Sequence, residues 1–284
     1  MNPKLCIGQI DYLNVWPLFH CLKKCSPDLD VQYVRGHPSE LNRALRTGDV
    51  QLSPSSSFEY LLNGSEYQLL PGIGVSGRHE VQSVLLVSPV SLWELPEFLR
   101  SHGNIVLLTE ASAASVALLK VLWRFAWKLP EPQWNSVGPG LGIKGEHPFL
   151  EIGDFALKLR ITPPKGWVLI DLATSWERFT GLPFVFAVWI LRRDLSPLQQ
   201  QDLASFVHVL HSCKGYVRSH LEELSEADGL PGWIPRDRLL SYWKTMDYEL
   251  HPDHMASLIL FSHYCRLLGL IPSIPGLSWF SERE

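Results

Sequence analysis

The stretch Gly181–Asp194, GLPFVFAVWILRRD, contains the longest apolar run of the chain and decides how we expect the chain to be divided. Its aromatic and β-branched residues predict a strand. A second β-like stretch, VQSVLLVSPVSLWELP (Val81–Pro96), lies earlier in the sequence. Each stretch stands where one series of alternating strands and helices meets the next. We therefore interpret the two stretches as paired linkers between two lobes.

This interpretation fixes the predicted lobe boundaries. The first lobe comprises residues 1–88 and 187–284, and the second, inserted lobe comprises residues 89–186. In the first, LCIGQI, DVQYVRG and DVQLSP read as strands between helix-like stretches, and in the second, NIVLLT, PFLEIG and GWVLIDLA do so. Repeated strand–helix units predict α/β lobes. A ligand is then expected in a cleft between the lobes, outside the carboxyl ends of the strands.

Charge and hydropathy exclude several classes of function. The formal net charge is -4, with 25 Lys+Arg against 29 Asp+Glu, so there is no basic field for nucleic acid. The longest apolar run, Leu182–Leu191, falls short of the roughly 20 residues that a membrane-spanning helix needs. The N-terminal MNPKLCIGQIDYL contains no signal-peptide core, because Asp11 interrupts it. We expect a cytoplasmic globular protein, a monomer or a homodimer, that binds neither nucleic acid nor membrane.

The five cysteines favour buried thiols in a reducing compartment, because their number is odd and their spacing has no shared rhythm. Cys21 and Cys25 are spaced as on one helix face, with His20 beside them. No second Cys or His pair follows at zinc-ribbon spacing, and structural zinc requires four ligands. We therefore expect no metal site.

Two glycine-rich segments do not predict a nucleotide site. Gly72–Gly77, GIGVSG, matches G-x-G-x-x-G, but the strand-like RHEVQSVLLVS follows where a dinucleotide fingerprint needs a helix. Gly138–Gly145, GPGLGIKG, lacks the Gly-Lys-Ser/Thr ending of a phosphate loop and reads as a turn. We expect no cofactor.

Hydroxyl side chains surround two predicted helix starts. Ser55, Ser56 and Ser57 lie in SPSSSFEYLLNG, and the second set, Thr109, Ser112 and Ser115, lies in LLTEASAASVALLK. Serine at such positions caps helices for structural reasons, but a helix N-terminus with free N–H groups also binds anions. Two such starts on opposite lobes would suit a ligand with two carboxylates. Both interpretations stay open at this point.

Several single residues are further candidates. In IGQIDYLNVWP, Asn14 follows a predicted strand and stands near Trp16, the tryptophan that we expect most to touch ligand. Arg78 in the GRHEV loop is a candidate carboxylate contact, although a solvated surface arginine is an equal alternative. Asp154 and Asp171 each follow a strand and could be helix N-caps. No G-x-S-x-G elbow is present.

Taken in order, these segments resemble one known family. DYLNVWP, SSSFEYL, LLPGIGVSGRHEVQSVLLVS, TEASAASVALLK, EIGDFALK, DLATSWERFTGLPFVFAVW and YELHPDHMASLILFSHYCRLLGLI are similar to the chorismate dehydratases of the futalosine route to menaquinone. The resemblance implies a periplasmic-binding-protein type II fold with a mixed sheet and flanking helices in each lobe. It also implies a lyase that converts chorismate to 3-[(1-carboxyvinyl)oxy]benzoate and water.

Carried over residue by residue, the resemblance implies a pocket built from Asn14, Ser57, Ser83, Thr109, Ser112, Ser115, Gly153 and Asp154. Asn14, Ser83 and Asp154 would be the catalytic residues. Ser56, Trp16 and Arg78 are added as substrate contacts from their positions. The sequence departs from the family at Ala114, where relatives often carry threonine.

The implied chemistry needs few strong groups, because losing water turns the chorismate ring aromatic. Positioning alone supplies several kcal/mol. The ring proton would leave to a carboxylate of the substrate, with Asp154 as the alternative base. The other functions to weigh are the sister 1,4-dihydroxy-6-naphthoate synthases and a binding protein without catalysis, because fold does not fix function.

Overall fold

The computed structural model of the chain describes residues 4–25 and 29–281. Its elements, in chain order, are β1 (Leu5–Ile10), α1 (Trp16–Cys25), β2 (Val31–Gly36), α2 (Pro38–Thr47), β3 (Leu52–Ser56), α3 (Ser57–Asn63), β4 (Tyr67–Gly77), β5 (Val84–Ser88), α4 (Leu95–Ser101), β6 (Ile105–Thr109), α5 (Ala113–Val121), β7 (Gln133–Val137), β8 (Phe149–Ile152), α6 (Gly153–Ile161), β9 (Val168–Asp171), α7 (Leu172–Thr180), β10 (Phe184–Arg192), α8 (Pro197–Ser219), α9 (Leu221–Leu224), α10 (Arg236–Trp243) and α11 (Pro252–Leu267). A π-helical turn, Leu122–Ala126, continues α5, and short 3-10 turns lie at Gly64–Glu66 and Gly142–Lys144.

The chain folds into two compact units. Of the described residues, the first unit contains 4–25, 29–76, 187–251 and 275–281, and the second contains 77–186 and 252–274. Each unit has one five-stranded sheet flanked by helices, which confirms the predicted α/β class. No helix within the described ranges has both the length and the apolar character needed to cross a bilayer.

The sheet of the first unit has the strand order β2-β1-β3-β10-β4. β1 runs parallel to β2 and β3, whereas β10 runs antiparallel to β3, so the sheet is mixed. β1 approaches β3 closely at Gly8, where a Cβ would lie 2.2 Å from the Ser53 Oγ. Since β1 and β3 are parallel neighbours, the residues that follow them lie at the same edge of the sheet.

The sheet of the second unit has the order β7-β6-β8-β5-β9. β6 runs parallel to β7 and β8, and β5 runs antiparallel to β8 and β9. A cluster of Leu85, Val87, Phe149 and Ala156 forms a core between this sheet and α6. The carboxyl ends of β6 and β8 and the beginning of β5 therefore share one edge.

The unit boundaries differ from the lobes that we predicted from the sequence. Residues 77–88 belong to the second unit rather than the first, because β5 is a central strand between β8 and β9. The chain passes between units at the end of β4, inside β10, at the start of α11 and after residue 274. The crossing strands β4 and β10 are neighbours in the first sheet. Of the two predicted linkers, only GLPFVFAVWILRRD spans a boundary.

The C-terminal helix α11 also lies in the second unit, not in the predicted first lobe. Its buried face carries Ser257 and Phe261. The Trp176 Nε1 donates to the Ser257 Oγ at 2.9 Å, and the Phe261 ring meets the rings of Trp176 and Phe184 edge-on. This aromatic core attaches the helix to α7 and β10. The helix begins at Pro252, inside the segment HPDH (His251–His254).

The two glycine-rich segments have structural roles. GIGVSG lies inside β4 and opens no helix, as the sequence predicted. GPGLGIKG forms a turn that includes a 3-10 segment, with Gly140 at φ +73°.

Candidate functional site

The loop after β1 holds the backbone of Asn14 in a fixed position within the first unit. The Trp243 Nε1 donates to the Leu13 carbonyl at 2.8 Å, and the Tyr248 hydroxyl donates to the Asn14 carbonyl. Val15 N also donates to the Tyr12 carbonyl at 3.3 Å, which closes a backbone turn. Two large side chains from distant sequence therefore orient this loop.

The Asn14 side chain takes no part in that turn. Its Oδ1 is buried and has no hydrogen-bond partner among the described residues. An asparagine that stabilises a turn uses this oxygen to accept a backbone N–H. A buried polar atom without a partner costs about 1–3 kcal/mol, so its retention calls for a functional reason. The amide is thus positioned by its neighbours and available to a ligand.

A run of serines extends along β3 of the first unit to the edge where β3 ends and α3 begins. The hydroxyl oxygens of Ser53, Ser55, Ser56 and Ser57 are all buried, and within residues 4–25 and 29–281 none has a hydrogen-bond partner. The Ser56 N–H donates to the Asn42 Oδ1 at 3.3 Å, so the backbone there is anchored. Hydroxyls both donate and accept, and together with Asn14 they form a polar set without internal partners.

The two serine-rich helix starts differ in whether a serine hydroxyl caps the helix. Ser112 is the N-cap of α5, and its Oγ accepts from the Ser115 N–H at 3.3 Å and lies 3.0 Å from the Ser115 Oγ. Ser56 precedes α3 without making a side-chain cap. Helix capping therefore accounts for the hydroxyl of Ser112, but it does not account for those of Ser56 and Ser57.

In the second unit, the register of the sheet brings the remaining predicted residues to one edge. Leu107 of β6 pairs with Phe149 of β8, so Thr109 ends its strand beside the end of β8. The Gly153 N–H donates to the Ser83 carbonyl at 2.8 Å and joins the start of α6 to the start of β5. Gly153 has φ +61°, a left-handed conformation that favours glycine at this sharp strand-to-helix turn. Asp154 follows it as the second residue of α6.

Sequence reasoning missed Glu151, a buried carboxyl next to these residues on β8. It accepts the Gly140 N–H at 2.7 Å and the Ile152 N–H at 3.0 Å, and it hydrogen-bonds to the Thr109 hydroxyl. Burial raises its pKa above the ordinary glutamate value. Its oxygens are committed to neighbouring groups, so Glu151 orients Thr109 and the Gly140 turn. The available signal was a single acidic residue inside the apolar strand FLEI.

Asp171 is a helix cap, as one of its sequence readings proposed, and it also shapes the segment before Ser83. Its Oδ1 accepts the Thr174 N–H at 3.0 Å, and its Oδ2 accepts the N–H groups of Val81 and Gln82 at 3.1 and 2.9 Å. Gln82 has φ +61°, a costly conformation for a residue with a side chain. Burial raises the Asp171 pKa to about 6, although the backbone donors oppose the shift.

Trp16 and Arg78 have protein partners of their own. The Trp16 ring stacks on Trp243 at 5.7 Å and on His20 at 4.4 Å between centroids. The Arg78 guanidinium pairs with Asp253 and donates to the Gly181 carbonyl at 3.2 Å. Arg78 therefore joins three segments of the second unit, and its charge is already engaged.

The second unit also contains a pocket of about 670 Å³ lined by Trp127, Arg160, Asp171 and Arg178, among others. Asn14, Ser83, Thr109 and Gly153 do not line it. Arg160 pairs with Glu80 at the same pocket. We therefore do not assign the predicted chemistry to it.

Comparison with known proteins decides the family. A model of a family described as menaquinone biosynthesis matches residues 5–267. The chain belongs to this family. A chorismate dehydratase of Thermus thermophilus is 34% identical over 264 residues, which cover 88% of this chain and 91% of the relative. A chorismate dehydratase of Campylobacter jejuni is 32% identical over 187 residues, or 64% of this chain and 66% of the relative.

Solved structures identify the fold of this family member. The periplasmic aliphatic sulphonate binding protein SsuA of Escherichia coli aligns with a TM-score of 0.64 at 15% identity and covers 100% of this chain and 96% of its own. A Candida albicans protein described as having the generic periplasmic binding protein fold aligns with a TM-score of 0.63 at 10% identity, over 99% of both chains. The family and the periplasmic-binding-protein fold expected from the resemblance are both confirmed.

Proposed function

We propose that this protein is a chorismate dehydratase, a hydro-lyase that removes water from chorismate to give 3-[(1-carboxyvinyl)oxy]benzoate on the futalosine route to menaquinone. The relatives that carry that name match most of the chain, which supports the reaction class. We further propose that it works in the cytoplasm, without a cofactor, as a monomer or a homodimer. Light scattering of the purified protein distinguishes these two oligomeric states.

The observation that carries the site assignment is the set of buried polar atoms in the first unit. Asn14 Oδ1 and the hydroxyls of the serine run have no hydrogen-bond partner among the described residues. Chorismate offers two carboxylates and a hydroxyl, which would satisfy such groups. We assign Ser56 and Ser57 to carboxylate binding and Asn14 to orienting the hydroxyl or the enolpyruvyl arm.

The second unit has proposed substrate-binding residues of its own. Thr109, Ser112 and Ser115 would bind a carboxylate, with backbone N–H groups at the start of α5 as further donors. Ser83, Gly153 and Asp154 stand at the same sheet edge, where Ser83 would orient the ring. Trp16 remains an expected contact through its ring, and Arg78 remains a proposed carboxylate contact whose guanidinium also pairs with Asp253.

Removal of the ring proton requires an acceptor, and few groups are candidates for this role. Glu151 and Asp171 are buried carboxyls with raised pKa values, but both accept backbone N–H groups. The two acceptors that we consider are a carboxylate of the substrate itself and Asp154. We favour the substrate carboxylate. The reaction forms an aromatic ring, so orientation of the substrate supplies much of what catalysis requires.

Steady-state kinetics with chorismate test these roles. We expect Asn14→Ala to lower kcat by about 100-fold, the loss typical of removing one oriented hydrogen-bonding group. Ser83→Ala should lower kcat less. Asn135→Ala, at an exposed position on β7, is the matched control and should leave kcat and KM unchanged.

Asp154→Asn separates the two acceptors. Substrate-assisted proton removal predicts that this variant still turns over chorismate. If it binds chorismate with unchanged affinity in a calorimetric titration but forms no product, Asp154 is the base. If Asn14→Ala folds and keeps full turnover, the assignment of the amide to the site is wrong.

A further inference from the structure

Three cysteines of the first unit, far apart in sequence, come together in space. Cys21 and Cys25 lie one turn apart on α1, and Cys213 lies on α8. All three sulfur atoms are within 4.8 Å of one another, and the Cys21 and Cys25 sulfurs are 3.8 Å apart. None of the three is in a disulfide. The sequence could not show this cluster, because Cys213 has no spacing relation to the other two.

We propose that Cys21, Cys25 and Cys213 form a three-thiolate binding site for a thiophilic metal ion, of which Zn(II) and Cu(I) are the representatives in cells. Thiolates are the ligands that select these soft and borderline ions. A zinc–sulfur bond of about 2.3 Å in tetrahedral geometry places two ligand sulfurs roughly 3.8 Å apart. The cluster already has sulfurs at this separation.

The surroundings of the cluster fit an ion with three protein ligands and access from solvent. Cys21 and Cys213 are buried and Cys25 is exposed, so the cluster is open on one side. No further His, Cys, Asp or Glu of residues 4–25 and 29–281 joins the group, and a fourth position would be filled by water. The His20 ring stacks on Trp16 and is not a member of the cysteine cluster.

Metal binding by the three cysteines is expected to be stronger at higher pH. Thiols must lose their protons to become metal ligands, so binding of a divalent ion by the three cysteines releases up to three protons. The bound ion and its three thiolates carry one net negative charge. Lys24 precedes Cys25 on α1, and its ammonium would partly neutralise this charge. Lys24 thus makes the anionic complex easier to form.

The test uses the full-length, reduced protein and Cd(II) alone as the probe. We expect one Cd(II) per chain, seen as a thiolate-to-cadmium charge-transfer band in the ultraviolet. Proton release measured in weakly buffered solution, and affinity that rises with pH, are expected as well. The absence of a charge-transfer band in the wild-type protein would overturn the proposal.

Cys25→Ser is the decisive variant, because its exposed position allows substitution without loss of the fold, which circular dichroism checks. It should weaken Cd(II) binding by more than about tenfold, since even a residue that only supports a metal ligand changes affinity that much. Cys6→Ser, at a cysteine outside the cluster, is the matched control and should bind as the wild type does. Unchanged Cd(II) affinity in Cys25→Ser would contradict the site.

Competition then tests the class of ion. Displacement of Cd(II) by Zn(II) or by Cu(I) in stoichiometric amount supports the assignment and shows which of the two binds more tightly. Failure of both ions to displace Cd(II) would overturn the assignment to these ions. The three cysteines are not among the residues proposed to bind chorismate, so neither result depends on turnover.

Discussion

Ser57 and Ser112 both stand at helix starts, but their hydroxyls have opposite surroundings. The Ser112 Oγ caps α5 by accepting the Ser115 N–H. The Ser57 Oγ is buried and, in the part of the chain that the structure describes, has no partner. The Ser112 hydroxyl therefore stabilises the fold, whereas no protein contact accounts for the buried Ser57 hydroxyl.

This difference predicts opposite effects of the same substitution. Ser112→Ala should lower the free energy of unfolding by about 1 kcal/mol, because a cap is lost. Ser57→Ala should leave it unchanged or raise it by up to about 1 kcal/mol, because a buried unpaired group is removed. Urea denaturation of both variants measures these changes.

The same Ser57→Ala variant should raise the KM for chorismate. A stability loss in Ser57→Ala that is as large as in Ser112→Ala would mean that its hydroxyl is structural. Unchanged KM would remove Ser57 from the proposed site.

At the level of single residues, the sequence indicated which polar groups to consider but not what they do. A sequence does not distinguish an asparagine that forms a turn from one that binds ligand, and at Asn14 only the environment of the Oδ1 separates the two roles. Glu151 was not predicted, because its role depends on its contacts with Thr109 and Gly140. These residues come close to Glu151 only through the sheet register and the turn. Local patterns carry no information on such partners.

Asp171 links the end of β9 to the segment before β5, and its raised pKa has a consequence for stability. The folded-state pKa is about 6 against an ordinary value of 3.8. The folded state therefore binds more protons than the unfolded state between these values. The contribution of Asp171 is fully present below the lower pKa and is lost as the pH rises through the higher one.

We expect the free energy of unfolding of the wild type to fall, relative to Asp171→Asn, by up to roughly 3 kcal/mol between about pH 4 and about pH 7. Other groups titrate alike in both proteins, so the difference isolates Asp171. Urea denaturation of the pair across this range measures it. A difference that does not change with pH would show that the Asp171 pKa is not raised.

Helix α11 provides a second prediction at this scale. Phe261 is 1% exposed within the aromatic core of the second unit, whereas Ile259 on the same helix is 45% exposed. Phe261→Ala should lower the free energy of unfolding by about 3–5 kcal/mol, and the control Ile259→Ala by less than about 1 kcal/mol. Thermal and urea denaturation measure both. Equal losses would contradict the packing of α11.

The sequence predicted the elements well and their assignment to units less well. The strands β1, β6 and β8 could be predicted from apolar runs between turns, because such runs are visible in the local sequence. The placement of β5 and α11 depended on long-range contacts, namely strand pairing with β8 and β9 and the aromatic cluster around Trp176. The sequence of a strand does not determine by itself which other strands it pairs with.

At the scale of the whole molecule, a fold shared with solute-binding proteins is combined with membership of a biosynthetic family. The fold alone does not separate binding from catalysis. The proposed site uses hydroxyls, an amide and backbone donors and has few charged side chains. Such a set suits a downhill elimination that needs orientation of the substrate.

Mass spectrometry of chorismate incubated with the purified protein tests the central proposal most directly. We expect an aromatic product that is lighter than chorismate by one water and retains the enolpyruvyl group, and that forms far more slowly with Asn14→Ala. A product of unchanged mass, one that has lost the enolpyruvyl group, or binding without any conversion would contradict it.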